Sequence, residues 1–145
     1  MSSRNCGIAW DNKYRLGEER VDTQHKHIFE LLGELIDQCS DGSNTEYLDE
    51  TLEFLVEYTV QHFYDEEALQ VRYNFPDYRR HKRLHEDFKV VVSALVQRYA
   101  QSGSSSELSS DVNKIVVRWL IEHILVEDSK IGEHVRKVTA RTLSA

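Results

Sequence analysis

The sequence contains little of what interrupts helices: one proline and six glycines among 145 residues. Because these two residues dominate the turns of β-rich folds, their scarcity argues against a sandwich or a barrel. Residues with high helix propensity, such as leucine, glutamate, lysine, arginine and glutamine, are plentiful instead. The composition therefore predicts an all-α protein, and the length suits one domain with a hydrophobic core of its own.

Long apolar runs, a secretory leader and clustered basic residues are lacking as well. No apolar run approaches the roughly 20 residues that span a bilayer, so no membrane segment is expected. The N-terminal stretch MSSRNCGIAWDNK has no apolar core of a secretory signal, which predicts a cytoplasmic location. Two cysteines, Cys6 and Cys39, cannot form a disulfide framework and fit a reducing compartment. The formal charge of -7 argues against nucleic-acid binding, which needs clustered lysine and arginine.

Three short breaks divide the chain into helical segments. Two of them, SDGSNTE (40–46) and QSGSSSE (101–107), are rich in small polar residues, and each ends in the serine–glutamate pair of a capping box. The pairs are Ser43 with Glu46 and Ser104 with Glu107. The third break, YNFPD, contains Pro76, which suits the first turn of a helix and discourages helix just before it.

These breaks predict the architecture. Asp22 is the predicted N-cap of the first helix. Because short links join long helices, the fold class is all-α, an up-down-up-down antiparallel four-helix bundle with an N-terminal arm and a short C-terminal helix. The helices are predicted at about 22–39, 45–72, 77–100 and 107–127, with a tail helix from about 131. We expect one domain over 1–145, made of an arm (1–18), the bundle (22–127) and a tail (128–145).

Every predicted helix places at least one histidine on the face that otherwise resembles core. Residues three or four apart share one face of a helix, and this spacing gives four mainly apolar stripes. The histidine and glutamate members of these stripes are His25, His62, Glu66, His81, His85 and His123. His27 and His134 lie off the stripes and are predicted to be surface residues.

Such a cluster needs a partner for its polar groups. A buried unpaired polar group costs about 1–3 kcal/mol, so a domain with roughly 5–15 kcal/mol of net stability cannot carry six or seven of them. The side chains must form a hydrogen-bond network or surround a metal, and the metal is the better explanation. Imidazole with carboxylate suits iron, zinc, copper or nickel. Six or seven ligands exceed a four-coordinate zinc site and suffice for two ions, most simply two irons.

Spacing alone leaves the carboxylate that follows His123 open. Glu127 comes four residues later and Asp128 five residues later. Straight helical geometry favours Glu127, whereas a five-residue step requires the helix to end or bulge there. No glutamate has a histidine three residues after it, which argues against the ferritin-like di-iron oxidases.

Four motifs occur in order along the chain: HKH after VDTQ, HFYDEE, HKRLHEDF and WLIEHILVEDSKIG. Together they resemble the hemerythrin family in its bacterial form, and the resemblance runs from Trp10 to about His134. The arm, WDNKYRLGEERVD, is similar to the family's N-terminal segment. One departure is Gln70, where the family commonly has a methionine.

The resemblance implies a non-haem di-iron centre, and it favours Asp128 over Glu127. It implies that Glu66 and Asp128 bridge two iron ions together with an oxo or hydroxo group. It further implies that the iron bound to His25 and His62 keeps an open position, where dioxygen binds reversibly as hydroperoxide. The implied ligands are His25, His62, Glu66, His81, His85, His123 and Asp128.

The implied function is oxygen storage, transport or delivery, without enzyme activity. The alternatives are an oxygen- or redox-sensing module acting through a separate signalling partner, and a weak di-iron peroxidase or oxidase. The expected partners are dioxygen and a protein for delivery or signalling, with no nucleic acid and no membrane. A dry apolar wall around the site is also expected, since it keeps water from the bound oxygen. Its predicted members are Phe29, Leu55, Phe88, Trp119, Leu120 and Ile124.

Overall fold

The computed structural model describes residues 10–39 and 48–144, with the side chains of residues 32, 35–39 and 144 left out of the description. Three helices span Glu19–Cys39 (α1), Leu48–Arg72 (α2) and Tyr78–Ser102 (α3). The fourth bundle helix consists of α4 (Ser106–Val112), a π-helical segment (Asn113–Val117), α5 (Arg118–Glu122) and a second π-helical segment (His123–Asp128). A C-terminal helix, α6 (Ser129–Ser144), follows it directly.

These helices form the predicted four-helix bundle. Helix α2 packs against both α1 and α3, and the fourth bundle helix closes the bundle by packing against α3 and α1. The described residues contain no strand, and none of their helices is long and apolar enough to cross a membrane. The arm adds one short 3-10 turn, Asn12–Tyr14.

The apolar core is divided into two clusters. The larger cluster lies between the four helices and is built around Phe29, Leu55, Phe88, Val116 and Leu120. The smaller cluster joins the arm to the end of α2, the α2–α3 turn and α6. Its buried members are Leu16, Val21, Leu69, Phe75, Ile131 and Val135. In the sequence, residues of the larger cluster lie on one side of His25, of Glu66 and of Asp128, and residues of the smaller cluster lie on the other. The buried histidines and carboxylates therefore form a polar layer where the two clusters meet.

Two of the predicted helix caps are corrected by the structure. Helix α1 begins at Glu19, and Glu18 rather than Asp22 caps it by accepting a hydrogen bond from Val21 N at 2.9 Å. Asp22 is buried and instead accepts hydrogen bonds from the backbone N–H groups of Leu16 and Gly17, which fixes the arm against α1. The sequence analysis did not predict that the arm turns back and brings these two N–H donors to Asp22.

The N-cap of the fourth bundle helix lies one residue after the predicted one. Ser105, in an extended conformation, accepts a hydrogen bond from Leu108 N at 3.0 Å, so Ser105 is the N-cap in place of Ser104. The other predicted pair, Ser43 with Glu46, lies outside the described residues, as does Cys6.

His134 was predicted to be a surface residue, but it is half-buried. Its Nε2 lies 2.7 Å from the carbonyl oxygen of Tyr73, to which it donates, and its ring meets Phe75 edge-on at 5.7 Å. His134 therefore ties α6 to the α2–α3 turn. His27 is exposed as predicted and lies against the ring of Phe54.

The arm and α6 approach each other closely at Gly132, where a Cβ atom would lie 2.9 Å from the carbonyl oxygen of Arg15. We therefore expect Gly132→Ala to lower the free energy of unfolding by about 1–3 kcal/mol, the usual cost of overpacking. Gly33→Ala is the matched control, because a Cβ at that helical position meets nothing within 4 Å and should stabilise by about 0.5–1 kcal/mol. Urea unfolding of the two variants measures both effects. Equal behaviour of the two would contradict the close approach.

Candidate metal centre

The structure brings all seven predicted site residues together in the polar layer. His25 comes from α1, and the second π-helical segment supplies the pair His123 and Asp128. Each of the seven side chains is buried, with at most 4% of its residue's surface exposed. The remaining members, from α2 and α3, are His62, Glu66, His81 and His85.

The potential ligand atoms form two groups, within each of which all atoms lie within 4.8 Å of one another. Two carboxylates, Glu66 and Asp128, belong to both groups. One group adds His81, His85 and His123, and the other adds His25 and His62. Imidazole and carboxylate are donor types that suit transition-metal ions, and the two shared carboxylates place the ligand groups side by side.

Several buried polar atoms of the site lie close together without forming hydrogen bonds. Nε2 of His25 lies 3.1 Å from Glu66 Oε2 and 3.0 Å from Asp128 Oδ2. Yet His25 Nε2, Glu66 Oε2 and Asp128 Oδ1 make no aligned hydrogen bond. Unpaired buried polar atoms are costly in a protein interior. Their convergence fits a bound cation better than a self-contained hydrogen-bond network.

The second π-helical segment decides which carboxylate faces the site. A π-helical turn advances one extra residue, so the residue five positions after His123 returns to the inward face. Asp128 is consequently buried beside His123, with Oδ1 3.1 Å from His123 Nε2. The same turn leaves Val126 exposed, although a regular helix would place this residue, three positions after His123, on the inward face.

Glu127 faces the surface and pairs with Arg80 from α3. Two hydrogen bonds join them, at 2.7 Å from Nη1 and 3.0 Å from Nη2. The hydrogen bonds and charge of Arg80 lower the pKa of Glu127 to about 2. The geometric preference for Glu127 as a site residue was therefore wrong, and the bulge that a five-residue step requires is present.

Two residues that sequence reasoning did not assign to the site hold histidine rings from behind. Gln24 Oε1 lies 2.7 Å from His62 Nδ1, and Glu67 Oε2 lies 2.8 Å from His85 Nδ1. Such contacts fix the tautomer and the orientation of a metal-binding histidine. Glu67 could have been predicted as a neighbour of the site from its position next to Glu66. Gln24 lies off the apolar stripe of α1, and its sequence position did not predict a contact with the site.

Aromatic rings pack against the outer sides of the histidines. Phe63 stacks on His85 with ring centroids 3.8 Å apart, and Trp119 stacks on His123 at 4.3 Å. Of the predicted apolar wall, Trp119 is half-buried and the rest are buried. These residues are packed into the core, and their role as a wall around bound oxygen stays a prediction. The buried members of the wall are Phe29, Leu55, Phe88, Leu120 and Ile124. Phe63 is a further member that the stripes missed.

The mutual electrostatics of the cluster favour charged forms. Burial alone would lower the pKa values of His25 and His81, but the nearby carboxylates of Asp128 and Glu66 raise both to about 10. Burial alone would raise the pKa of Glu66, but hydrogen bonds from the surrounding histidines hold it well below its usual value. The pKa of His62 is lowered by burial and by the charge of His25. Cations bound here would therefore compete with protons.

Gln70 lies one helical turn after Glu66, fully buried, and neither its Oε1 nor its Nε2 has a hydrogen-bond partner. We expect Gln70→Met to raise the free energy of unfolding by about 1–3 kcal/mol, since it removes two unpaired buried polar atoms. Gln61→Met, at an exposed position of the same helix, should change it by less than about 0.5 kcal/mol. Urea unfolding of both variants makes the comparison. Destabilisation by Gln70→Met would show that the amide has a polar partner after all.

The fold and the site define a class: a helical-bundle protein with a buried histidine–carboxylate site for cations. The family model described as the hemerythrin HHE cation binding domain matches residues 16–135, and the chain belongs to the hemerythrin family.

Curated relatives agree with this assignment. The bacteriohemerythrin of Pseudomonas aeruginosa (strain LESB58) is 32% identical over 129 residues, which cover 89% of this chain and 82% of the relative. That of Methylococcus capsulatus (strain ATCC 33009 / NCIMB 11132 / Bath) is 32% identical over 112 residues, covering 77% and 83%. The myohemerythrin of Riftia pachyptila is 26% identical over 122 residues, covering 84% and 88%.

Proposed function

We propose that the chain binds two iron ions in its polar layer and takes up dioxygen reversibly there, as a protein of oxygen storage, transport or delivery. The observation that carries the proposal is the pair of ligand groups that share Glu66 and Asp128. Five histidines and two carboxylates make a nitrogen-rich donor set that suits iron. Membership of the hemerythrin family supports the same choice of metal.

In this proposal the two ion positions differ in their protein ligands. His81, His85 and His123 would hold one iron and His25 and His62 the other, with the carboxylates of Glu66 and Asp128 within reach of both. The position with two histidines has one protein ligand fewer, which would leave room for a small ligand. Ferrous iron held there would supply the electrons for reversible uptake of dioxygen.

The surrounding residues favour reversible binding over turnover. The apolar wall excludes water from the centre, which slows loss of the bound oxygen and irreversible oxidation. Among the described residues, Asp22 is the one buried carboxylate outside the cluster, and it is engaged with the arm. No described side chain of that kind is therefore free to act on a substrate. We propose carriage of dioxygen, without an enzymatic step.

Iron content and visible spectra test this function directly. We expect about two iron ions per chain, no visible colour in the reduced protein without air, and a visible band that appears in air and disappears on evacuation. Rapid conversion in air to an oxidised form that evacuation does not reverse would favour a redox sensor. Steady consumption of a reductant with oxygen or peroxide would favour an enzyme. Fewer than one iron after careful reconstitution would contradict the proposed centre.

A further inference from the structure

Gln24 links the surface of the bundle to one of the buried histidines. Its Oε1 lies 2.7 Å from His62 Nδ1, and its Nε2 donates to Asp65 Oδ2 at 2.8 Å. Asp65 in turn forms an ion pair with Arg20, whose Nε lies 3.0 Å away, and accepts a hydrogen bond from Gln61 Nε2 at 3.1 Å. A chain of polar contacts therefore runs from two exposed residues to the ring of His62.

The donors and acceptors in this chain can be assigned without ambiguity. A carboxylate paired with arginine only accepts hydrogen bonds, so the amino group of Gln24 must face Asp65. The amide oxygen of Gln24 then faces His62, and because that oxygen also only accepts, His62 Nδ1 must carry a proton. A neutral imidazole carries one ring proton, so His62 Nε2 presents its lone pair. That atom lies on the side of Glu66, 3.4 Å from its Oε2.

A neighbouring tyrosine holds both partners of this contact. The hydroxyl group of Tyr58 donates to the backbone carbonyl oxygen of Gln24. The ring of Tyr58 stacks on His62, with centroids 4.9 Å apart and planes 26° apart. The backbone of Gln24, its amide and the His62 ring are thus fixed relative to one another.

We propose that Gln24 is the positioning residue of His62, and that it selects the Nδ1–H tautomer so that Nε2 faces the metal site. The proposal rests on the proposed function, because it assigns a role toward the same centre. In this proposal the histidines on the two sides of the centre are held by different kinds of group. His85 is held by the carboxylate of Glu67, whereas His62 is held by a neutral amide.

The first measurement is the tautomer of His62 in metal-free protein at neutral pH, from two-bond ¹⁵N–¹H correlation spectra. We expect the Nδ1–H form in the unmodified chain and its loss in Gln24→Met. Gln24→Glu should retain it, since a carboxylate oxygen still accepts from Nδ1. Gln61→Met is the matched control, because the Gln61 side chain also donates to Asp65 but makes no hydrogen bond with the His62 ring. An Nε2–H form in the unmodified chain would overturn the proposal, whether or not the variants fold.

The second measurement is a zinc titration of the metal-free proteins, with circular dichroism to verify the fold. We expect Gln24→Met to weaken one of two zinc-binding steps by about 10–100-fold, the usual effect of losing a residue that orients a ligand. Gln61→Met should leave both steps unchanged. Equal weakening in the two variants would overturn the proposal, since the effect would then act through Asp65.

These measurements separate the role of Gln24 from the function of the centre. If the unmodified chain has the Nδ1–H tautomer and binds two zinc ions, but its iron form takes up no dioxygen, the proposed function fails and Gln24 retains its role. If the iron form binds dioxygen reversibly while His62 is in the Nε2–H form, the role of Gln24 fails alone.

Discussion

Asp128→Ala is expected to lower the iron content from about two ions per chain to fewer than one. Asp128 belongs to both ligand groups, so its loss removes a donor from each ion position at once. The substitution also leaves Glu66 as the one buried carboxylate of the cluster, with four histidines around it. The loss of one negative charge weakens the attraction of the site for cations. Iron analysis after reconstitution under reducing conditions, compared with the unmodified chain, measures the effect.

The adjacent residue provides the control for this substitution. Glu127→Ala removes an ion pair with Arg80 that solvent screens, and it removes no atom from the ligand groups. We expect its iron content to be unchanged. If Glu127→Ala lost iron and Asp128→Ala kept it, the inward position of Asp128 would not be the one that binds metal.

A second large effect is expected in the pH dependence of the metal-free protein. The pKa values of His25 and His81 are raised from 6.5 to about 10 in the folded chain. A group with a raised pKa adds stability that is complete below pH 6.5 and is lost as the pH rises toward 10. At about 1.36 kcal/mol per pKa unit, each histidine changes the free energy of unfolding by a few kcal/mol over this range.

The acid side of the profile has a different origin. The lowered pKa of His62 costs stability as the pH falls below 6.5, and the lowered pKa values of Glu66 and Asp128 cost more below about pH 4. The metal-free protein should therefore be most stable near pH 6.5. Urea unfolding across pH 4–10 measures this curve.

The iron-loaded protein should lack the alkaline decline, because metal replaces the protons on the histidines. Metal binding at pH 8 should also release protons, from His25 and His81 at least, and a pH indicator in weakly buffered solution detects them. Identical pH curves for loaded and metal-free protein would show that the metal does not bind at these histidines.

Much of the fold was predictable because it depends on local patterns. Small polar breaks and helical periodicity predicted the four-helix bundle, and inward histidines at a spacing of three or four predicted the polar layer. The sequence could not show where a helix departs from its regular period. The π-helical turn exposes Val126 and buries Asp128, and neither outcome follows from a period of 3.6.

Other features depend on contacts between distant parts of the chain. Asp22 was predicted to cap a helix because the sequence does not show that the arm folds back and places two N–H groups beside its carboxylate. His134 was predicted to lie on the surface because the sequence does not show that α6 places its ring against the carbonyl oxygen of Tyr73. Gln24 and His62 are 38 residues apart in the sequence and lie on different helices, so the periodicity of a single helix cannot predict their contact. Whether the seven inward residues bind iron stays a prediction that metal analysis decides.

The π-helical turn at His123–Asp128 also sets the rotation of everything after it. Each residue of an α-helix turns the chain by about 100°, so one extra residue rotates α6 by roughly that angle relative to a regular helix. Ile131 and Val135 face the arm in the resulting register, and Gly132 meets Arg15. If the same residues formed a regular α-helix, Asp128 would turn out of the site and α6 would turn away from the arm. The π-helical turn is therefore constrained twice, by the chemistry inside the bundle and by the packing outside it.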